Sequence, residues 1–241
     1  MEQRCTSDAS TQLPDGSAPV SLGIDLSLAD LRARVAKVPP SPAYVYVIRT
    51  VGLDSQRLFR QRGTAPNMEG GLITLCTCKH HLRTYRTPQE WVGLWIAGFA
   101  RSALSPMGNP LVYLMRVGQA AESHLDLWRS LPDAVREAKA ADRHLLGDIY
   151  RPREAAGPGD ALDPSSYQPP CDRHSHAADG EWHKDICYVA RGKRAALLAG
   201  EAGLSFLFRS PSIILKGRKL GRGQVKYASV LDLVGSLEDV E

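Results

Sequence analysis

The spacing of apolar and polar positions changes several times along the chain, and each change marks an expected element. Leu28, Leu31, Val35 and Val38 recur three and four residues apart in "SLADLRARVAKVPP", which predicts a short amphipathic helix within 27–40. Ser27 with Asp30 gives a capping-box-like start, and Pro39 and Pro40 end the helix. From Ala43 the pattern turns β-branched and aromatic, so "AYVYVIR" predicts a strand. Further strands are expected over 72–79, over 94–99 and in "NPLVYLMRV", with a glycine-bearing loop over 52–71. From Glu122 to about Leu146 the period is helical, carried by Leu131, Ala134, Val135 and Ala138, and Gly147 supplies a stop. "AALLAGEAGLSFLFRS" and "SIILKG" add helix or strand, and "YASVLDLVGSL" is a last amphipathic piece.

Strands first, inserted helices and strands again predict an α+β fold, built on a small mixed or mainly antiparallel sheet or barrel. Residues 1–26 lack periodicity and are expected to be a tail, with a single domain over 41–241 after the helix. The Pro- and Gly-rich stretch 154–172 is expected to be a loop within that domain.

Composition narrows the class more than the function. Hydrophobic residues make up 43% of 241 residues, enough for a core without disulfides or structural metal. No run approaches the ~20 apolar residues of a membrane span, and the first residues lack the order of a secretory signal. Five cysteines without a framework fit reduced thiols, so a cytoplasmic location is expected. The net charge of +4 is modest, but its distribution is uneven. Arg191, Lys193, Arg194, Arg209, Lys216, Arg218, Lys219, Arg222 and Lys226 face a single acid, Glu201, in the same segment. Such a segment can neutralise phosphates, or it can be an ordinary solvated face.

The densest chemistry lies in "GGLITLCTCKHH", residues 70–81. Three uses compete for it. A zinc site could draw on Cys76, Cys78, His174 and His176, although Cys-x-Cys is not the usual ligand spacing. A thiol nucleophile needs a neighbouring base, yet on a strand Lys79 projects away from Cys78. The third use is a binding surface, in which Gly70 and Gly71 bring backbone close to a ligand. Asn67 and Thr74 then offer hydrogen bonds, Lys79 and Arg83 meet phosphates, and Tyr46, Trp95 or Tyr113 stacks on a base. Phosphate-loop signatures are missing: "GRKLGRG" has neither the strand–loop–helix setting nor the Ser or Thr.

The ordered segments "AYVYVIRT", "GTAPNMEGGLITLCTCKHHLR", "VGLWIAG", "NPLVYLMRV", "LLGDIYRP", "RHSH" and "LSFLF" resemble the second type of nucleotide-modification-associated domain, from about Ala43 to Gly217. The matching polar positions are Arg49, Asn67, Thr74, Cys78, Lys79, Arg83, Gly147, Asp148, Tyr150, His174 and His176. Two departures stand out: the loop between Arg49 and Gly63 is longer, and Gly93-Leu94-Trp95 replaces the family's Gly-Asp-Trp. "VGLWIAG" and "LVYLMRV" are also similar to paired strands of PUA-like and EVE-like barrels. The resemblance implies handling of modified bases in bacterial or phage systems, without a mechanism or cofactor.

The expectation is therefore a reader of a modified nucleotide or nucleobase, with nucleic acid, most naturally DNA, as partner and no membrane. Its ligand-binding set is Arg49, Asn67, Gly71, Thr74, Cys78, Lys79, Arg83, Trp95, Asp148, Tyr150 and His176. Lys79, Arg83, Lys216, Arg218, Lys219 and Arg222 would hold the backbone. The alternatives are an enzyme using His174, His176 and Asp148 as acid–base groups, and a zinc-stabilised interaction module.

Overall fold

The computed structural model describes residues 11–14, 22–141, 147–170, 182–217, 219–221 and 223–240. Strands β1 (Thr11–Gln12) and β2 (Gly23–Ile24) and helix α1 (Leu28–Val35) precede strands β3 (Ala43–Val47), β4 (Val51–Leu53) and β5 (Phe59–Gln61). Then come β6 (Thr74–Leu75), α2 (His80–Arg83), α3 (Pro88–Trp91), β7 (Trp95–Phe99) and the long β8 (Gly108–Ala121). Helices α4 (His124–Ser130), α5 (Asp133–Ala141) and α6 (His183–Ile186) lead to β9 (Val189–Ala190), β10 (Lys193–Arg194) and β11 (Leu197–Leu207). The chain closes with β12 (Ile213–Lys216), β13 (Gln224–Tyr227), α7 (Val230–Gly235) and β14 (Leu237–Asp239).

The fold is α+β around one large mixed sheet ordered β13-β3-β7-β8-β11-β2. β12 and β6 attach to β8 and β11, and β14 pairs with β12. β3 lies parallel to β7 and β11 parallel to β2, while the other pairs along this path are antiparallel. The sheet stays open among the described residues, so the barrel alternative gives way to a sheet. No helix among the described residues is long and apolar enough to cross a membrane.

Alternation of side chains divides the core in two. Tyr44, Tyr46, Ile48 and Ile96 enter one cluster, with Leu75, Trp91 and Tyr113. Ala43, Val45, Trp95, Ala97 and Phe99 enter the other, under Leu28, Leu31 and Val35 of α1 and Leu233 of α7. Both faces are therefore covered, which is why β3 and β7 read as unbroken apolar runs. α1 forms as its pattern predicts: the Ser27 hydroxyl accepts from the Asp30 N–H at 3.1 Å, and Leu28, Leu31 and Val35 are buried.

The single helix expected after Glu122 is two. Leu131 precedes Pro132 and takes an extended ψ of 144°, which ends α4 before α5 begins. Residues 154–170 form a loop, as expected, but an anchored one: Tyr167 is buried, and Pro152 bridges Tyr167. Within the segment expected to be a tail, β1 pairs with β5 and β2 pairs with β11. Strand 72–79 shrinks to β6, and the chain then turns sharply into α2.

Candidate functional site

Asp148 is completely buried, and its carboxylate organises everything around "GGLITLCTCKHH". Oδ2 accepts from the Thr74 hydroxyl at 2.7 Å and the Asn67 N–H at 3.2 Å. Oδ1 accepts from the N–H groups of Cys76 at 2.8 Å and Thr77 at 3.3 Å. Burial raises its pKa from the ordinary aspartate value, and these hydrogen bonds work against that rise. A carboxylate so enclosed builds the loop and has no face left for a base. Asn67 and Thr74, also at 0% exposure, are likewise structural.

A buried lysine completes this arrangement. Lys139 of α5 donates to the carbonyl oxygens of Leu72 at 2.5 Å and Asn67 at 3.1 Å, and to Asn67 Oδ1 at 3.4 Å. Burial pushes its pKa down to about 8, against the partly offsetting field of Asp148. Because that pKa lies below the 10.5 of an ordinary lysine, the folded state loses the proton first, and the cost of burying the charge fades as pH rises through about 8. Urea unfolding of wild type and Lys139→Met at pH 7 and 9 should therefore show wild type gaining stability relative to the variant at pH 9. Gly70 and Gly71 belong to the same unit. Both have φ of 72°, and a Cβ on Gly70 would lie 3.1 Å from Val135 of α5. Gly71 is thus a buried, left-handed position of that turn.

Other expected contacts are also internal. Arg83 is 1% exposed and donates from Nε to the Cys78 carbonyl at 2.8 Å and from Nη1 to the Ala196 carbonyl at 2.7 Å, so it is no phosphate anchor. Tyr150 is buried against Trp182 and Tyr167, with its hydroxyl donating to Asp185 at 3.1 Å. Trp95 points to the sheet face opposite Tyr46 and stacks on Phe206 at 6.4 Å. Trp95→Ala should lower stability by about 3–5 kcal/mol, and the milder Trp95→Phe should leave ligand affinity unchanged, as read by denaturation and binding titrations.

What remains is a cavity of about 220 Å³ lined by Val47, Ile48, Arg49, Thr50, Gly63, Thr64, Ala65, Thr77, Cys78 and Lys79. Its walls come from the end of β3, the loop after β5 and the turn before α2. Gly63 is required there, since a Cβ would stand 2.4 Å from the Thr50 hydroxyl. Lys79 adopts a left-handed backbone (φ 56°, ψ 44°), rare for a residue with a Cβ. That turn swings its ammonium over the Tyr46 ring, 5.2 Å from the centroid. Beneath, the Tyr46 and Tyr113 hydroxyls bond each other at 2.9 Å, and burial raises the pKa of both. Arg49 is exposed beside the opening, and burial raises the Cys78 thiol, so it stays protonated near neutral pH.

Three expected ligand residues, Arg49, Cys78 and Lys79, thus meet at one cavity. Thr50, Thr64 and Thr77 also line it, and no sequence pattern distinguishes them from loop threonines. Lys139 was legible, since it lies four residues after the buried Val135 on the apolar side of its helix. Lys216 pairs with Glu238 at 2.8 Å, and Lys219 lines a different cavity with Met107, so neither contributes here. His174, His176, Arg218 and Arg222 lie outside the described residues. Among the described residues no group of three or more His, Cys, Asp or Glu could hold a metal, and Cys76 is buried against the Leu198 carbonyl. No protein-family model, curated protein or solved structure matches the chain, so its own geometry carries the functional reading.

Proposed function

We propose that this chain recognises a modified nucleobase, in kinship with the second type of nucleotide-modification-associated domain. The observation that carries the proposal is the cavity of about 220 Å³ with Lys79 and Arg49 at its edge. Its volume lies below the ~300–1,000 Å³ of pockets that enclose drug-sized ligands, so it suits one heterocycle rather than a whole nucleotide. Val47, Ile48, Ala65 and Cys78 give apolar wall for the ring, and Thr50 and Thr64 give polar atoms nearby, while the Thr77 hydroxyl donates to the Gly147 carbonyl at 2.6 Å. The cations suit an electron-rich substituent or the adjoining phosphate.

In this reading Asp148 and Lys139 fix the cavity wall from behind and never touch the base. The PUA-like analogy belongs to the same proposal, as an open-sheet relative of those base-binding folds. The test is equilibrium binding of oligonucleotides with modified and unmodified bases, compared across salt. Preference for one modification that persists at high salt is expected. Equal affinity for all of them, or no binding, would refute the proposal.

A further inference from the structure

We propose that the β3–β13 margin of the sheet is a backbone track for a single-stranded polynucleotide, which delivers a base to the cavity. This rests on the reading of the cavity given above. It specifies the ligand as a base within a strand, rather than a free nucleotide.

The track follows from register. Tyr44 and Tyr46 share one face of β3, with Ile48 just past its end in the same cluster, and two residues along a strand span about 6.6 Å. Arg86 stands at Tyr44, donating from Nε to its hydroxyl at 3.1 Å. Lys79 stands at Tyr46, one such step nearer the cavity. Across the ladder, Lys226 is opposite Tyr44 and Gln224 is opposite Tyr46. Gln224 bonds the Tyr85 hydroxyl, and the Arg191 guanidinium covers the Tyr85 ring 4.3 Å from its centroid. Arg191 reaches that ring from the turn between β9 and β10, where its φ is 57°.

Charge pairing separates this margin from other basic positions. Lys193, Lys216, Arg209 and Arg116 each have a carboxylate partner, respectively Glu90, Glu238, Asp25 and Glu201. Among the described residues, no carboxylate lies within 4.0 Å of Arg86, Arg191 or Lys226. Glu90, the acid that feels Arg86, is held by Thr87 and Lys193. The side-chain contacts at Tyr44 and Tyr85 hold Arg86 and Arg191 in place, which lowers the ordering cost of meeting a phosphate. A single strand fits because its bases enter the cavity without the cost of being unpaired and extruded from a duplex.

The test titrates the full chain with deoxy- and ribo-oligonucleotides of 1, 4, 8 and 12 residues bearing the preferred base, and with the matching duplex, over a salt series. Affinity should rise with length for at least one of the two sugars. Each phosphate contact contributes about 0.7 to the slope of log K against log salt. Arg86→Gln, Arg191→Gln and Lys226→Gln should each lower that slope by about 0.7, a loss of about fivefold at 0.1 M salt. Mononucleotide affinity should not change, and Arg86→Lys should restore the slope.

Mononucleotide binding without length dependence would overturn the track and leave the cavity reading standing. So would unchanged slopes in all three variants, or a preference for duplex. Length-dependent binding that loses slope in these variants, yet ignores changes inside the cavity, would support the track and refute the cavity reading.

Discussion

Asp148→Ala is expected to lower stability by about 3–5 kcal/mol, or to prevent folding, rather than to remove activity from a folded protein. Its carboxylate takes four donors, from Asn67, Thr74, Cys76 and Thr77, and Lys139 is buried nearby. A lost partner leaves each buried donor unsatisfied at about 1–3 kcal/mol, and breaking a buried ionic arrangement costs about 3–5 kcal/mol. Asp148→Asn keeps the shape and two acceptor lone pairs, so it should fall between. Urea unfolding with circular dichroism reads both. A folded Asp148→Ala with wild-type stability and no ligand binding would make the carboxylate a ligand contact, contrary to its enclosure.

The second large effect is functional. Lys79→Gln should weaken ligand binding about 10- to 100-fold, since a charge-assisted hydrogen bond is worth about 1.5–3 kcal/mol. The variant keeps the left-handed backbone and loses the cation–π contact over Tyr46, worth about 0.5–1 kcal/mol. Cys78→Phe places a ring into a cavity of about 220 Å³ and should abolish base binding. If both variants fold and bind like wild type, the cavity is not the site. Asp148 and Lys79 thus make opposite predictions, one for stability and one for affinity.

The contrast shows what the sequence made legible. Strands β3, β7 and β8 and helix α1 follow from local patterns that tertiary packing reinforces, whereas "SIILKG", readable as helix or strand, becomes β12 through its pairing with β8 and β14. The length of 72–79 as a strand does not follow, because Asp148, some seventy residues later, captures the N–H groups of Cys76 and Thr77 that a ladder would use. Once those donors leave the ladder, Cys76 and Cys78 no longer share a strand face, and the Cys-x-Cys argument falls with it. Trp95 illustrates another limit: period two fixes that it opposes Ile96, but not which side holds the cavity. Polar residues of a motif are also ambiguous by type. Asn67, Thr74 and Arg83 have the donors of a ligand site, yet spend them on the loop that shapes one.

Protection of Cys78 tests the central claim most directly. Cys78 lines the cavity, whereas Cys187 is exposed and is not among its lining residues. Alkylation at pH 8.5, followed by mass spectrometry with and without a saturating modified-base oligonucleotide, reads both thiols in one sample. The cavity account predicts that the oligonucleotide slows Cys78 and leaves Cys187 unchanged. Binding at saturation with no change at Cys78 would contradict it.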